Sequence, residues 1–394
     1  MAEHRSDRDP ALDGLRTFAC GAVIAFHLLL PFSAGGWLGV DVFFVLSGYL
    51  ITGVLLREYR AHGRIRLLAF WGRRALRLYP ALVVTVLAVS LLSAVGALEG
   101  DKGSGVGIAL ALTYTTNLAM ALGHESGSLS HTWSLAIEEQ FYLLWPLCLM
   151  LAGVRRRVTY AAVAGAAGSL GVMMVLAPSR LDPGAFYWPH TRMWELLAGC
   201  VLAVALHDRP DRVALLPGRW LAAVSVPALA GGLVVGAMPI SSPLGHPSAA
   251  LLLVVAGTLA LLAAIRAGAW PAKALAVRPL PWIGQRTYGA YLLHVPIASL
   301  AWRSELPASV RTAFVVLATL ALADASFRWV EAPVRAVLTP RRANSDVVKV
   351  PMHSRAACQW QGCTDHPVPI ELRELHVGPD AGEIDRRSSG ASPA

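Results

Sequence analysis

The chain has 394 residues, 55% of them hydrophobic and only 15% charged, with a mean hydropathy of +0.52. Soluble domains carry about 25% charged residues, so this composition excludes an ordinary soluble protein and describes a polytopic, all-α membrane protein. The net charge of +9 does not call for nucleic acid, which is not expected as a partner. Cytoplasmic loops facing a lipid bilayer collect positive charge on their own account.

Residues 1–11 are polar and form a cytoplasmic N-terminal segment. Apolar segments long enough to span follow near 15–32, 37–56, 78–98, 105–122, 133–153, 158–177, 191–206, 219–238, 248–265, 283–302 and 309–328. Between the second and third lies REYRAHGRIRLLAFWGRRALR, with seven Arg and one Glu. The positive-inside rule places this loop, and with it the N-terminus, in the cytoplasm. If every later segment crossed, Arg155–Arg157, the basic loops at 207–219 and 266–278, and the pair Arg341–Arg342 would all face outside. All four fall inside if 105–122 does not cross. That segment is also the most polar, with Thr113, Tyr114, Thr115, Thr116 and Asn117. The expected architecture is an integral membrane helical bundle of about ten transmembrane helices over residues 12–340, with one re-entrant or cavity-lining segment and both termini cytoplasmic. Residues 341–394 turn polar and rich in Pro, Gly and charge, and read as a cytoplasmic disordered tail.

Five Cys form no disulfide framework. Cys20, Cys148 and Cys200 lie in apolar helices as small buried residues. Cys358 and Cys363, near His353 and His366, have a C-x4-C spacing too common to specify a metal, and no metal ligand is assigned.

Several spans carry ionisable groups. In the first, Arg16 and His27 are eleven residues apart, nearly on one helix face and roughly 16 Å apart along the axis. The topology puts Arg16 near the cytoplasmic surface and His27 in the outer half. Glu138 in HTWSLAIEEQFYLLWP falls in the outer half of its span. Asp41 lies one turn into a span that enters from outside, and Arg192 and Glu195 lie near the outer end of theirs. His294 is near the midplane. A charge at the bilayer centre costs about 2.5–3.5 kcal/mol, so groups that converge in depth imply mutual pairing or a wet cavity. A His27–Glu138 dyad is expected, with the carboxylate orienting an imidazole that takes a proton from a hydroxyl. Arg192 and Glu195 also fit an i,i+3 salt bridge, Asp41 a helix cap, and His294 a structural role. On the cytoplasmic side Arg73, Arg74 and Arg77 precede the third span and share a face. Guanidinium clusters suit polyanionic phosphates. Glu331 and Arg335, in FRWVEAPVR, reach the same membrane face.

These stretches resemble a known family. LDGLR through His27, GVDVFFVLSGYLIT, FWGRRALRLYPAL, HTWSLAIEEQFYLLWP, WELLAG, YGAYLLH and FRWVEAPVR follow the membrane acyltransferase-3 family in order from residue 12 to about 335. Members O-acylate lipopolysaccharide, peptidoglycan, nodulation oligosaccharides and macrolides in bacteria. The resemblance implies an integral-membrane O-acyltransferase of the bacterial cell membrane, with acyl-CoA as donor substrate and no permanently bound cofactor. The acceptor would be a hydroxyl-bearing sugar, glycolipid or macrolide. It makes Arg16 and His27 the essential basic–histidine pair, Arg74 and Arg77 (with Arg73 beside them) the paired-arginine motif, and Glu138 the motif glutamate among Trp133, Ser134, Phe141 and Tyr142. Arg16 or Tyr142 would stabilise the oxyanion. Some members carry a hydrolase-like domain after the last span. The short polar tail here points instead to a small or lipid-linked glycoside as acceptor. The competing expectation is a glycolipid transporter or flippase with a buried proton relay, against which the missing repeat symmetry weighs.

Overall fold

The computed structural model describes residues 9–98, 104–124, 126–152, 156–176, 183–206, 209–239 and 247–338, and every regular element among them is helical. The expected tail with Cys358, Cys363, His353 and His366 lies outside the described residues, as do residues 1–8, Arg155 and the pair Arg341–Arg342.

Helix α1 (Pro10–His27) begins where local chemistry dictates: the Asp9 carboxylate accepts the Ala11 N–H at 3.0 Å and Pro10 takes the first helical position. It ends at His27, ahead of Pro31, and Leu29 and Phe32 sit in the left-handed region at φ 53° and 63°. The apolar run 15–32 therefore continues beyond the helix, and His27 stands in the last turn rather than just past the middle. Helix α2 (Gly39–His62) closes on Gly63 at φ 66°. Helix α3 (Leu67–Ala94) starts well before residue 78, so Arg73, Arg74 and Arg77 lie inside it rather than ahead of it. Charge marks where a membrane begins, and a helix is free to start earlier.

The polar segment 105–122 is two short helices, α4 (Ser104–Leu112) and α5 (Thr116–Ala121). Nine residues of α4 reach only about 13 Å, less than half of a hydrocarbon core. Between the helices Tyr114 has φ 51°. The Gln140 amide holds the break, donating to the Tyr114 carbonyl at 3.0 Å and to Asn117 Oδ1 at 2.9 Å. Helices α6 (Trp133–Ala152), α7 (Arg156–Leu176), α8 (Pro189–Leu206), α9 (Pro210–Ala214), α10 (Gly218–Ala237), α11 (Pro247–Arg266), α12 (Trp270–Leu275), α13 (Pro279–Gly284), α14 (Thr287–Ala301) and α15 (Ala308–Ser326) follow. A π-turn over Phe327–Glu331 joins α15 to α16 (Ala332–Leu338) without a break.

Among the described residues, six stretches are long and apolar enough to cross a membrane: α2 with its leading turn, α3, α7, α10, α11, and α15 through α16. The expected number was about ten. Helices α1, α6 and α8 fall outside this set, and they carry Asp13 and Arg16, Glu138 and Glu139, and Arg192 and Glu195. Helix α14 has only 15 residues. The six differ in where they stand. The most apolar window of α2 is 78% buried inside the protein, whereas those of α7 and α10 are each 17% buried, so α2 is central and the latter two present their apolar surface outward. Backbones approach closely through glycine: a Cβ at Gly48 of α2 would collide with the Leu196 carbonyl of α8, and one at Gly199 of α8 with the Val45 carbonyl of α2. Around this contact Phe44, Ile51, Leu55, Ile137, Phe141, Leu196 and Cys200 form the core. Cys20 and Cys200 are buried, but Cys148 faces outward, on the side of α6 away from that core.

Candidate active site

A cavity of about 460 Å³ opens among α1, α2, α3, α6 and α14, and arginines from several helices project into it. Arg16 comes from α1, Arg74 and Arg77 from α3, and Arg335 from α16. Arg74 and Arg77 are i,i+3 and share a face. Arg74 lies over the Tyr142 ring, 5.1 Å from its centroid. Arg335 is ion-paired with buried Glu331, and the π-turn that ends at Glu331 sets the register of both. Arg16 pairs with Asp13 at 3.4 Å. Arg73 does not join them. It lies on the outer side of α3, 44% exposed, and pairs with Glu58 at 2.8 Å, which also holds Arg66 at 3.2 Å. One residue is about 100° of helix, enough to take Arg73 away from the face that Arg74 uses.

Glu138 lines the same cavity. Its carboxylate accepts from Ser47 Oγ at 2.8 Å and from Tyr142 Oη at 3.3 Å. Its hydrogen bonds thus go to Ser47 and Tyr142, and those of His27 go elsewhere: the expected direct His27–Glu138 bond is absent among the described residues.

His27 belongs to a cluster of three imidazoles with His131 and His294. The His27 and His294 ring centroids are 5.0 Å apart, those of His131 and His294 5.1 Å. His27 Nδ1 is 2.9 Å from the Val23 carbonyl and 3.3 Å from His294 Nε2, and His294 Nδ1 is 2.6 Å from the Tyr291 carbonyl. His131, in the short turn that precedes α6, sets Nε2 at 3.2 Å from the Leu292 carbonyl. Burial foremost, with His27 beside it, pushes its pKa down to about 3, so this ring is neutral.

Tyr291 divides the cluster from the cavity. It lines the cavity, its ring packs on both His131 and His294 at 5.5 Å, and its hydroxyl bonds Ser134 Oγ at 2.6 Å and donates to the His131 carbonyl at 2.8 Å. The sequence singled out Ser134 and His294 but passed over Tyr291, His131 and Ser47. Each sits inside a motif already in view, and Tyr291 and His294 are i,i+3 on α14, a spacing that pairs them on one face.

Asp41, Arg192 and Glu195 also meet, away from the cavity. Arg192 reaches Asp41 at 2.5 Å and Glu195 at 3.4 Å, and all three side chains are buried. Asp41 is an ion-pair partner rather than a cap, and the residue in the cap position of α2 is Leu38, without a side-chain bond. Arg192 lies 4.3 Å from the Phe186 ring centroid and 5.8 Å from that of Trp133. Trp133 thus serves this cluster. Its ring also packs against Phe44 and Tyr187.

The family model of the acyltransferase domain matches residues 9–328. The chain is 33% identical over 347 residues to the peptidoglycan O-acetyltransferase OatA of Listeria monocytogenes, covering 83% of this chain and 56% of that protein. It is equally similar, at 33%, to the putative peptidoglycan O-acetyltransferase YrhL of Bacillus subtilis (83% and 55% covered) and to the O-acetyltransferase OatA of Staphylococcus aureus (83% and 57%). The chain therefore spans little more than half the length of these relatives. No solved structure matches it.

Proposed function

The chain belongs to the acyltransferase family, and on that footing we propose that it is an integral-membrane O-acyltransferase moving an acyl group, acetyl in the first instance, from acyl-CoA to a glycan hydroxyl. One observation carries this reading: a cavity lined by six arginines from five helices (Arg16, Arg57, Arg74, Arg77, Arg266 and Arg335) shares the Tyr291 wall with an imidazole cluster. Arg74, Arg77 and Arg335 suit the phosphates of CoA, because the guanidinium fork bonds phosphate oxygens in pairs. The thioester end of the donor then lies toward Ser134, Glu138 and Tyr142.

In the reaction, His27 takes the proton of the acceptor hydroxyl as its oxygen attacks the thioester carbonyl. The negative charge that develops on the carbonyl oxygen falls to Arg16 or the Tyr142 hydroxyl. The tetrahedral adduct collapses to the ester, the CoA thiolate leaves, and the proton held by the imidazole returns to it. Glu138, bonded to Ser47 and Tyr142, holds that hydroxyl in place and offsets the arginine charge. The names of the relatives point to peptidoglycan as the acceptor, and a smaller or lipid-linked glycoside is the other glycan to test. The family match and the paired positions of the buried charges weigh against a glycolipid transporter.

The topology that serves this chemistry has about ten spans, both termini in the cytoplasm, and α4–α5 dipping in from outside. The break at Thr113–Thr115 and the tie from Gln140 support it. Residues 12–340 form the acyltransferase domain, followed by a cytoplasmic tail. The deciding experiment follows acyl-CoA thioester cleavage by the purified protein with a panel of glycoside acceptors, wild type beside His27→Ala. Transfer by the wild type and none by a folded His27→Ala support the proposal. Full activity in the variant removes His27 as the base. Failure of the wild type to bind or cleave acyl-CoA removes the donor.

A further inference from the structure

The hydrogen bonds around His27 fix which of its nitrogens is bare. A carbonyl oxygen only accepts, so His27 Nδ1, 2.9 Å from the Val23 carbonyl, carries a proton. By the same rule His294 Nδ1, 2.6 Å from the Tyr291 carbonyl, carries one too. The remaining contact joins His294 Nε2 to His27 Nδ1 at 3.3 Å. With its proton on Nδ1, neutral His294 offers a lone pair at Nε2, and the His27 Nδ1–H is shared between that lone pair and Val23. A protonated His294 would instead aim an N–H at His27 Nδ1, which would have to surrender its own proton and leave its ring nitrogen facing the Val23 oxygen lone pairs. The neutral form is the one these contacts allow, and among the described residues no carboxylate is hydrogen-bonded to either ring. His27 Nε2 makes no hydrogen bond among the described residues, so it is the nitrogen left to accept a proton.

We propose that His294 is the positioning residue for His27: its Nε2 accepts from His27 Nδ1–H, holds the ring against rotation, and keeps Nε2 of His27 as the bare, proton-accepting nitrogen. This rests on the reading of His27 as base in acyl transfer, and it assigns to α14 the orienting role that the motif glutamate of α6 was expected to fill. The same contact serves the reaction as well as the ground state. Once His27 Nε2 takes the acceptor's proton, the ring is cationic and its Nδ1–H bond strengthens, so His294 helps to hold the imidazolium until the proton passes to the leaving thiolate. His131 completes the packing. Its ring packs edge-on against His294, and its Nε2–H is committed to the Leu292 carbonyl.

The test uses full-length protein in lipid nanodiscs with ¹⁵N-labelled histidine. The His27 ring signals are identified by their loss in His27→Gln. The wild type should show His27 protonated at Nδ1 and bare at Nε2. His294→Leu removes the acceptor at similar volume, and should mix the two His27 tautomers. It should also lower kcat roughly tenfold or more, a part of the roughly 100- to 10,000-fold that a general base contributes, and leave the KM for acyl-CoA within about twofold. His294→Gln places a carbonyl oxygen near the lost Nε2 and should restore both the tautomer and most of kcat. An Nε2-protonated His27 in the wild type overturns the proposal. So does an unchanged spectrum in His294→Leu, which would mean that the Val23 carbonyl suffices. Equal losses in His294→Leu and His294→Gln would make the residue merely structural and overturn it too. The spectra are independent of turnover. If they behave as expected while His27→Ala retains transfer, the positioning contact stands and the role of His27 as base fails.

Discussion

Arg77→Ala and Arg73→Ala remove the same charge from the same helix, one turn apart, and should have very different consequences. Arg77 lines the cavity, whereas Arg73 is 44% exposed and engaged with Glu58. A hydrogen bond to a charged partner contributes about 1.5–3 kcal/mol. At about 1.4 kcal/mol per tenfold, losing one Arg77–phosphate contact should raise the dissociation constant for acyl-CoA roughly 10- to 150-fold. An exposed ion pair such as Arg73–Glu58 is worth about 0–1 kcal/mol. Glu58 also keeps Arg66, so Arg73→Ala should change donor affinity by less than about fivefold. The assay is titration calorimetry of a non-hydrolysable acyl-CoA analogue with nanodisc-embedded protein at two salt concentrations, with thermal melts to confirm folding. Net charge changes equally in both variants, so any difference between them reports position. Equal weakening by the two, or a larger effect at Arg73, would refute the assignment of Arg74, Arg77 and Arg335 as the anion-binding set.

Three further predictions concern the scaffold. Arg192→Met leaves Asp41 and Glu195 buried without their cation, and breaking a buried pair costs about 3–5 kcal/mol; a melting temperature equal to wild type in detergent would contradict the ion triad. Gly199→Leu should abolish recovery of monodisperse protein, because even a Cβ there collides with the α2 backbone, while Gly231→Ala, with nothing within 4 Å of the added carbon, should purify as wild type. Tyr291→Phe strands the Ser134 hydroxyl and the His131 carbonyl, a loss of about 1–3 kcal/mol. Thermal unfolding measures it, and an unchanged melt would mean that the Tyr291 hydroxyl does not brace the wall between cavity and imidazoles.

Much of the site was legible because the membrane makes ionisable groups conspicuous. Arg16, His27, Asp41, Arg74, Arg77, Glu138, Arg192, Glu195 and His294 all stand out as polar residues in apolar runs, and every one has a specific place in the structure. What depth could not reveal was pairing. Asp41 reads locally as a cap, yet its partner is 151 residues away on α8. His27 and Glu138 read as neighbours because both lie in the outer half, but depth is one coordinate of three, and each group finds its hydrogen bonds elsewhere. Arg73 was grouped with Arg74 and Arg77 because i,i+4 and i,i+3 spacings both allow a shared face. Only the position of the neighbouring helices selects which face meets the cavity. Tyr291 and Ser47 escaped notice because a neutral hydroxyl in an apolar helix carries no strong signal.

Helix boundaries departed from the apolar runs for one physical reason. The run of apolar residues overestimated the end of α1 and missed the start of α3, because hydropathy reports partition into lipid, while helix ends follow caps, prolines and positive-φ residues. By itself, then, the sequence determined the all-helical membrane class, the unusual polarity of 105–122, the family and the candidate ionisable residues, since each of these follows from composition, local periodicity or contiguous motifs. Tertiary structure alone decided that Arg335 joins Arg74 and Arg77, that Arg192 joins Asp41, and that His294 rather than Glu138 touches His27. Those pairings depend on how separately specified helices rotate and pack against one another, through close approaches such as Gly48 to Leu196 and Gly199 to Val45, and no local pattern encodes the angle.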